Sequence, residues 1–455
     1  MSPSNDLLSG NIIKRLSLMT GPVIIGLVSV RLIQVTDAYF VSKLGHSAAA
    51  LISLTFPVAL IAMGVMVGLG IAASVHLSRY IGAADVVQAN RLVNNALGFS
   101  ILLSLPIALA LFLLAQPVYA FLGVKSEYLG LMRHYMAVWG LGFCLLSVVL
   151  VGNALIRATG NTKLPSTIMV TAAVVNMGFD PIFIFGLRLG EFVVVEPQGF
   201  IGAAWASVLA RLISLVICII CLHRIFPAVR FSIPSASDIR WLIKLLNPIA
   251  LPSIGNYLLP PVTIAIILKL AAPLGEQAVA AIGIGSRLQQ LLYIVPSAFG
   301  IALTTFVAQN LGAEATERAR KSYWYTVQTV VLYGLLLGSI LFVKPDLLTV
   351  FFSENAYLSQ FIQWTAISLP FFAASIISLA VFNAHRRSRQ GFKINLMMNS
   401  LLLFTALVIS LVFSNSHLYS GLILTLIVID ILFSLTSGWF AKGLFTVSSK
   451  TGPKN

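Results

Sequence analysis

The chain has 455 residues, 58% of them hydrophobic and only 9% charged, with a formal net charge of +15. An ordinary soluble domain carries about 25% charged residues, and a mean hydropathy of +0.96 would leave a soluble protein of this size with an apolar surface. These figures exclude a cytosolic enzyme, a secreted disulfide scaffold and a disordered chain, and they leave an all-α polytopic membrane protein.

Apolar runs broken by glycine, proline or charge fall near residues 16–41, 48–76, 93–117, 131–156, 166–187 and 199–222. A second set falls near 243–272, 277–307, 323–345, 358–383, 394–414 and 418–441, so twelve transmembrane helices are expected. The first run is long and no small-residue cleavage site follows it, so no cleavable signal is expected. With the N-terminus placed in the cytoplasm, twenty basic residues fall on that side, among them Lys14, Arg91, Arg230, Arg240, Arg387, Lys450 and Lys454. Only Lys43, Lys125, Arg188 and Lys344 fall on the other. That bias puts both termini in the cytoplasm, and it explains the basic excess without a nucleic-acid partner. Cys218 and Cys221 form C-x-x-C inside the apolar run LVICIICL, with no further ligand nearby. They read as small apolar residues of a membrane helix rather than a metal or redox site.

The two halves match at one fixed offset of 230 residues. Pro22 falls on Pro252, Gly45 on Gly275, Gly70 on Gly300, Gly82 on Gly312, Asn153 on Asn383 and Arg157 on Arg387. Apolar coincidences are cheap, but matched glycine, proline, asparagine and arginine each do a backbone or polar job. The chain therefore reads as two pseudo-two-fold-related six-helix bundles: an N-lobe over 1–225, a cytoplasmic linker over 226–240 and a C-lobe over 241–455. Parallel repeats of this kind are a transporter architecture.

Three acids lie within spans: Asp37, Asp180 and Asp430. Charge inside a bilayer is costly, which makes each a functional candidate. Gln34 precedes Asp37 by one helical turn, and Asn176 precedes Asp180 by one turn, so each pair shares a helix face. Asn153 lies one turn before Arg157 in the fourth span. Asp37, Asn153, Asn176 and Asp180 are expected to converge as a polar cavity in the first bundle. Such an oxygen set suits a proton or a hard monovalent cation such as Na+. Asp430 sits alone in TLIVIDILF, with no polar partner near it in sequence. The offset partners of Asp37, Asn176 and Asp180 are Ile267, Ala406 and Ser410, so the second half keeps the scaffold without the carboxylates.

The first span from Pro22 to Asp37, NALIRATGNTKLP at 153–165, NMGFDPIFIFG at 176–186 and GAAWAS at 202–207 together resemble the multidrug and toxic compound extrusion (MATE) family. The resemblance covers essentially the whole chain. It implies export of lipophilic, often cationic drugs in exchange for inward H+ or Na+, by alternation between outward-open and inward-open states. It also implies a monomer in the bacterial inner membrane, no enzymatic activity and no cofactor beyond the coupling ion. By motif, Asp37, Asn153, Asn176 and Asp180 match the family's N-lobe cation site, and Ser207 matches a sixth-span hydroxyl. One branch of the family carries essential acids in the seventh and tenth spans; this chain has none there and resembles the DinF-type branch. Two alternatives compete. A lipid-linked precursor flippase would want a basic cavity, for which Arg31, Arg211 and Lys269 are available. An intramembrane aspartyl protease needs G-x-G-D, whereas Met177, Gly178 and Phe179 precede Asp180. No G-x-x-x-x-G-K-[ST] loop for nucleotide occurs.

Overall fold

The computed structural model describes residues 7–190, 192–229, 233–349, 356–413 and 415–448. Arg230, Lys450 and Lys454, counted above among the cytoplasmic basic residues, lie outside these. Twelve helices of the described residues are long and apolar enough to cross a membrane. The first half contains α1 (Ile12–Ser42), α2 (His46–Gly82), α3 (Val86–Leu113), a short α4 (Ala115–Phe121), α5 (Ser126–Ala158), α6 (Lys163–Phe185) and α7 (Phe200–Ile225). The second contains α8 (Ala236–Ala271), α9 (Glu276–Leu292), α10 (Ile294–Gly312), α11 (Thr316–Val343), a short α12 (Asp346–Thr349), α13 (Ala356–Ala384), α14 (Ser388–Val412) and α15 (Asn415–Ser448). One feature departs from an all-helical chain. The α6–α7 connection folds into an antiparallel hairpin, β1 (Leu187–Leu189) and β2 (Phe192–Val195), with Arg188 opposite Val193.

The internal repeat holds at the level of packing. α2 ends at Gly82 and α10 at Gly312; α3 begins at Val86 and α11 at Thr316; α5 begins at Ser126 and α13 at Ala356. Each of these pairs is related by the sequence offset. In the first half Gly70 lets α2 approach α5, where an added Cβ would lie 3.2 Å from Ala154 and 3.6 Å from the Leu150 carbonyl oxygen. In the second half Gly300 does the same for α10 and α13, where a Cβ would meet Ile376 at 3.3 Å and Ala380 at 3.7 Å. Close approach of two helix backbones is what the missing side chain permits. The turn after each of these helices also places a non-glycine residue at positive φ, Ala84 at 56° and Glu314 at 60°.

The chain forms two compact units, and their seam lies inside helices rather than in the linker. Among the described residues, one unit holds Gly21–Ala250; the other holds those from Leu251 onward together with residues 7–20. Both seams fall just before a matched proline, Pro22 and Pro252. In the second unit the start of the chain is tied down by Arg318. Its guanidinium donates to the carbonyls of Leu7 (3.1 Å), Gly10 (2.9 Å) and Ser9 (2.7 Å), while the Asn310 amide reaches Leu7 at 3.2 Å. Leu7, Leu16 and Met19 join that unit's apolar core. In the first unit the start of α8 is held by Arg91, which pairs with Asp238 at 2.9 Å and lies over the Trp241 ring.

The run read as one span over 277–307 is broken at Tyr293 into α9 and α10. Pro296 is the cause: it has no N–H for the carbonyl four residues back, that of Leu292. The Tyr333 hydroxyl donates to that freed carbonyl instead, at 3.0 Å, and the Tyr293 ring stacks on Phe372 at 4.2 Å.

Candidate functional site

The site is built in the first unit by α1, α5, α6 and α7. Its geometry begins at the end of α6. The backbone N–H groups of Gln198 and Gly199 donate to the otherwise free carbonyls of Phe183 and Ile184, at 2.9 and 3.1 Å. Gly202 then lets α7 start directly against the Phe183 carbonyl, a place a Cβ would occupy. α7 thereby runs alongside α6, with Ser207 opposite Asn176. The Asn176 amide donates to the Asp180 carboxyl and to the Ser207 hydroxyl, each at 3.4 Å. Asn176 and Asp180 are buried, 1% and 0% exposed.

On the α1 side, Gly26 packs against Met169 and Ser166 of α6, where a Cβ would come within 3.0 Å of the Met169 sulfur. That contact sets the register of α1 on α6. Farther along α1, Asp37 comes close to Asp180 and Asn176 of α6. Two carboxyls approach in this way only when a proton or a cation lies between them. Three oxygens of the cluster, Asp37 Oδ1, Asn176 Oδ1 and Asp180 Oδ2, are buried without a hydrogen-bond partner. A buried acceptor left unpaired costs about 1–3 kcal/mol, more when it is charged.

Four of the sequence-predicted residues are therefore brought together: Asp37, Asn176, Asp180 and Ser207. Asn153 is not among them. It lies close to the α5–α6 connection, whereas Asn176 lies well past the middle of α6; at about 1.5 Å per residue the two differ in depth by on the order of 10 Å. The Asn153 amide oxygen is buried without a partner, and no hydrogen bond joins it to the acids. Gln34 is engaged elsewhere too, its amide oxygen accepting from Arg31 at 3.3 Å.

Two further residues enter the site that the sequence reading did not assign to it. Arg211 follows Ser207 by one turn of α7; its Nη1 donates to the Trp139 carbonyl at 3.3 Å and its guanidinium lies 4.9 Å from the Trp139 ring centroid. Asp37 lies in the field of this cation. Tyr135, one turn before Trp139 on α5, lies in the field of both and packs on Phe200 at 4.8 Å. The i, i+4 spacing of Ser207 and Arg211 was the available signal.

Among the described residues the second unit has no equivalent at the offset positions. Ile267 and Ala406 are buried apolar residues, and the Ser410 hydroxyl donates to Leu407 of its own helix at 2.7 Å. Asp430 is not isolated, however: it lies near Ser368 of α13 and Tyr293. α8 and α14 are joined by an uncharged ladder in which Asn395 donates to Asn256 (2.8 Å), Asn399 to Asn395 (2.9 Å) and Thr263 to Asn399 (2.7 Å). Cys218 behaves as a small apolar side chain packed on Gly152, and no group able to hold a metal ion occurs among the described residues.

Twelve spans in two repeats, with Asp37 and Asp180 gathered in the first, define a membrane transporter. The family model described as MatE matches residues 22–182 and 252–409, two stretches that begin at the repeat-related prolines. The chain belongs to the MATE family of multidrug and toxic compound transporters, and it is a transporter rather than an enzyme. Among curated relatives it is similar to a protein named FAD transporter from Shewanella oneidensis, 32% identical and covering 87% of both chains. It is also similar to the multidrug export protein MepA of Staphylococcus haemolyticus, 23% identical over 73% of this chain and 72% of the relative. Among solved structures, the Vibrio cholerae MATE transporter VcmN in its bent form superposes with a TM-score of 0.85 at 26% identity, covering 96% of this chain and 98% of the other.

Proposed function

We propose that the chain is a proton-coupled antiporter that exports lipophilic, largely cationic small molecules, with Asp37 and Asp180 as the coupling pair. The observation that carries this reading is the closeness of two carboxyls, the buried Asp180 and the half-buried Asp37, each with a buried oxygen that has no hydrogen-bond partner. A proton shared between them satisfies both, and its loss leaves buried charge that a cationic substrate can compensate. Protonation turns Asp37 from acceptor into donor. α1 carries Pro22 inside its helical run and Gly26 against α6, so a change of hydrogen bonding at Asp37 can be answered by a bend. A proton moving inward down 100 mV releases about 2.3 kcal/mol, enough for roughly a fiftyfold gradient of an uncharged substrate, whereas a monovalent cation leaving in exchange for one proton moves no net charge and is driven by the pH difference. The same oxygen set would hold Na+ in the competing version of this mechanism. The basic asymmetry supports both termini in the cytoplasm of a bacterial inner membrane, and one chain supplies the whole acid set, so a monomer suffices.

A second substrate reading is favoured by the 32% identity to a relative named FAD transporter: export of a flavin dinucleotide. Accumulation of ethidium and of FAD, measured in cells lacking their own pumps with and without collapse of the proton gradient, separates these. Proton-dependent ethidium efflux supports the first reading. FAD efflux alone would replace it, and efflux insensitive to the proton gradient would remove proton coupling.

A further inference from the structure

Resting on the acid-pair reading above, we propose that Arg211 is a built-in counter-cation that makes the Asp37–Asp180 pair take a proton and refuse sodium. The guanidinium is seated, not free. Its Nη1 donates to the Trp139 carbonyl at 3.3 Å and its plane lies by the Trp139 ring at 4.9 Å. Gly142 supplies the slot: a Cβ there would come 2.7 Å from Nη1 and 3.3 Å from Cδ of Arg211. A ring, a carbonyl and a missing side chain, all on α5, therefore hold one positive charge beside the acids. From this seat the charge acts on Asp37 of α1 and Tyr135 of α5, while Asp180 and Asn176 of α6 close the other side.

Charge balance then follows. Two carboxylates and one guanidinium leave a single negative charge, which one monovalent cation neutralises. A proton fits between two carboxyls that already lie close together and needs no further ligands. A sodium ion needs several oxygens around it and would sit beside a fixed like charge. Removing that charge, at the effective dielectric of a protein interior and a separation of up to about 10 Å, favours a bound cation by about tenfold or more. Without Arg211 the pair has room for two monovalent cations.

The test uses purified full-length protein. Unfolding midpoints are compared in NaCl and in choline chloride at equal ionic strength for wild type, R211M, R211K and G142A, each with and without D37N. A bound ligand raises the midpoint according to its affinity. Ethidium movement in proteoliposomes is driven in turn by a pH gradient and by a sodium gradient. Wild type and R211K are expected to show no preference between the salts and no sodium-driven transport. R211M is expected to gain sodium-specific stabilisation, with an apparent sodium affinity about tenfold or more tighter than wild type, to gain sodium-driven ethidium transport, and to lose both when D37N is added. G142A, which crowds the guanidinium out of its slot, should move in the same direction, and it decides the matter if R211M does not fold. R211M and G142A as indifferent to sodium as wild type would overturn the proposal, as would R211K gaining sodium response equally or wild type already showing it. Loss of pH-driven transport in D37N alone keeps the acid-pair reading in place through any of those results; its retention sinks both.

Discussion

Replacing Asn176 by alanine removes the one amide that reaches both the Asp180 carboxyl and the Ser207 hydroxyl, each at 3.4 Å. Both contacts are longer than the strong N–H···O range of about 2.7–3.2 Å, so the lower ends of the usual energies apply. A hydrogen bond to a charged group nets about 1.5 kcal/mol at that end, and a neutral one about 0.5 kcal/mol. Asn176→Ala loses both, about 2 kcal/mol, and should slow coupled transport about thirtyfold, whereas Ser207→Ala loses only the weaker one and should slow it about twofold. The two should not multiply. Ser207 reaches the acids only through Asn176, so the double variant should be no slower than Asn176→Ala alone. The assay is the rate of proton release when ethidium is added to energised everted membrane vesicles, normalised to the amount of protein. A double variant slowed by the product of the single effects, or Ser207→Ala slower than Asn176→Ala, would refute the relay.

Arg318→Ala should loosen the start of the chain by about 2 kcal/mol, since two of the three carbonyl contacts are exposed and screened; hydrogen exchange of the backbone near Ser9 and Gly10 should then quicken by roughly thirtyfold, and unchanged protection would count against the clamp. Ser410→Ala should leave proton coupling intact, because that hydroxyl only bonds its own helix; lost coupling there would move the titrating chemistry into the second half. Cysteine placed at Lys125 or Lys344 should react with a membrane-impermeant maleimide added outside the cell, and one at Arg240 should not; the reverse pattern would invert the topology.

Hydropathy and punctuation made the twelve spans legible, and matched glycines and prolines made the repeat legible, because both are written in local residue choice. Asp37, Asn176 and Asp180 were readable for the same reason: acids in apolar runs are conspicuous, and a one-turn spacing states which residues share a face. Asn153 and Gln34 were harder. Sharing a lobe or a helix face does not set depth across two antiparallel helices, and Arg31 competes for Gln34 from one turn away. Arg211 was visible as a cation within a span, one turn from Ser207, but its place near Asp37 depends on how α7 packs on α5, through Gly142 and the Trp139 ring. The break at Tyr293 had a signal in Pro296, but apolar continuity outweighed it. The Arg318 clamp joins residues some three hundred positions apart in sequence and left no local mark.

The central claim rests on Asp37, and Asp37→Asn tests it most directly. The amide is nearly isosteric and still able to hydrogen-bond, so the variant should fold and reach the membrane at wild-type level. It cannot cycle a proton between the two sides. Proton release on adding a lipophilic cation such as ethidium to energised membranes should therefore be lost, together with resistance to the drug in cells. Full proton release from Asp37→Asn at normal expression would contradict the account and direct attention to Asp430, the acid in the last span, near Ser368.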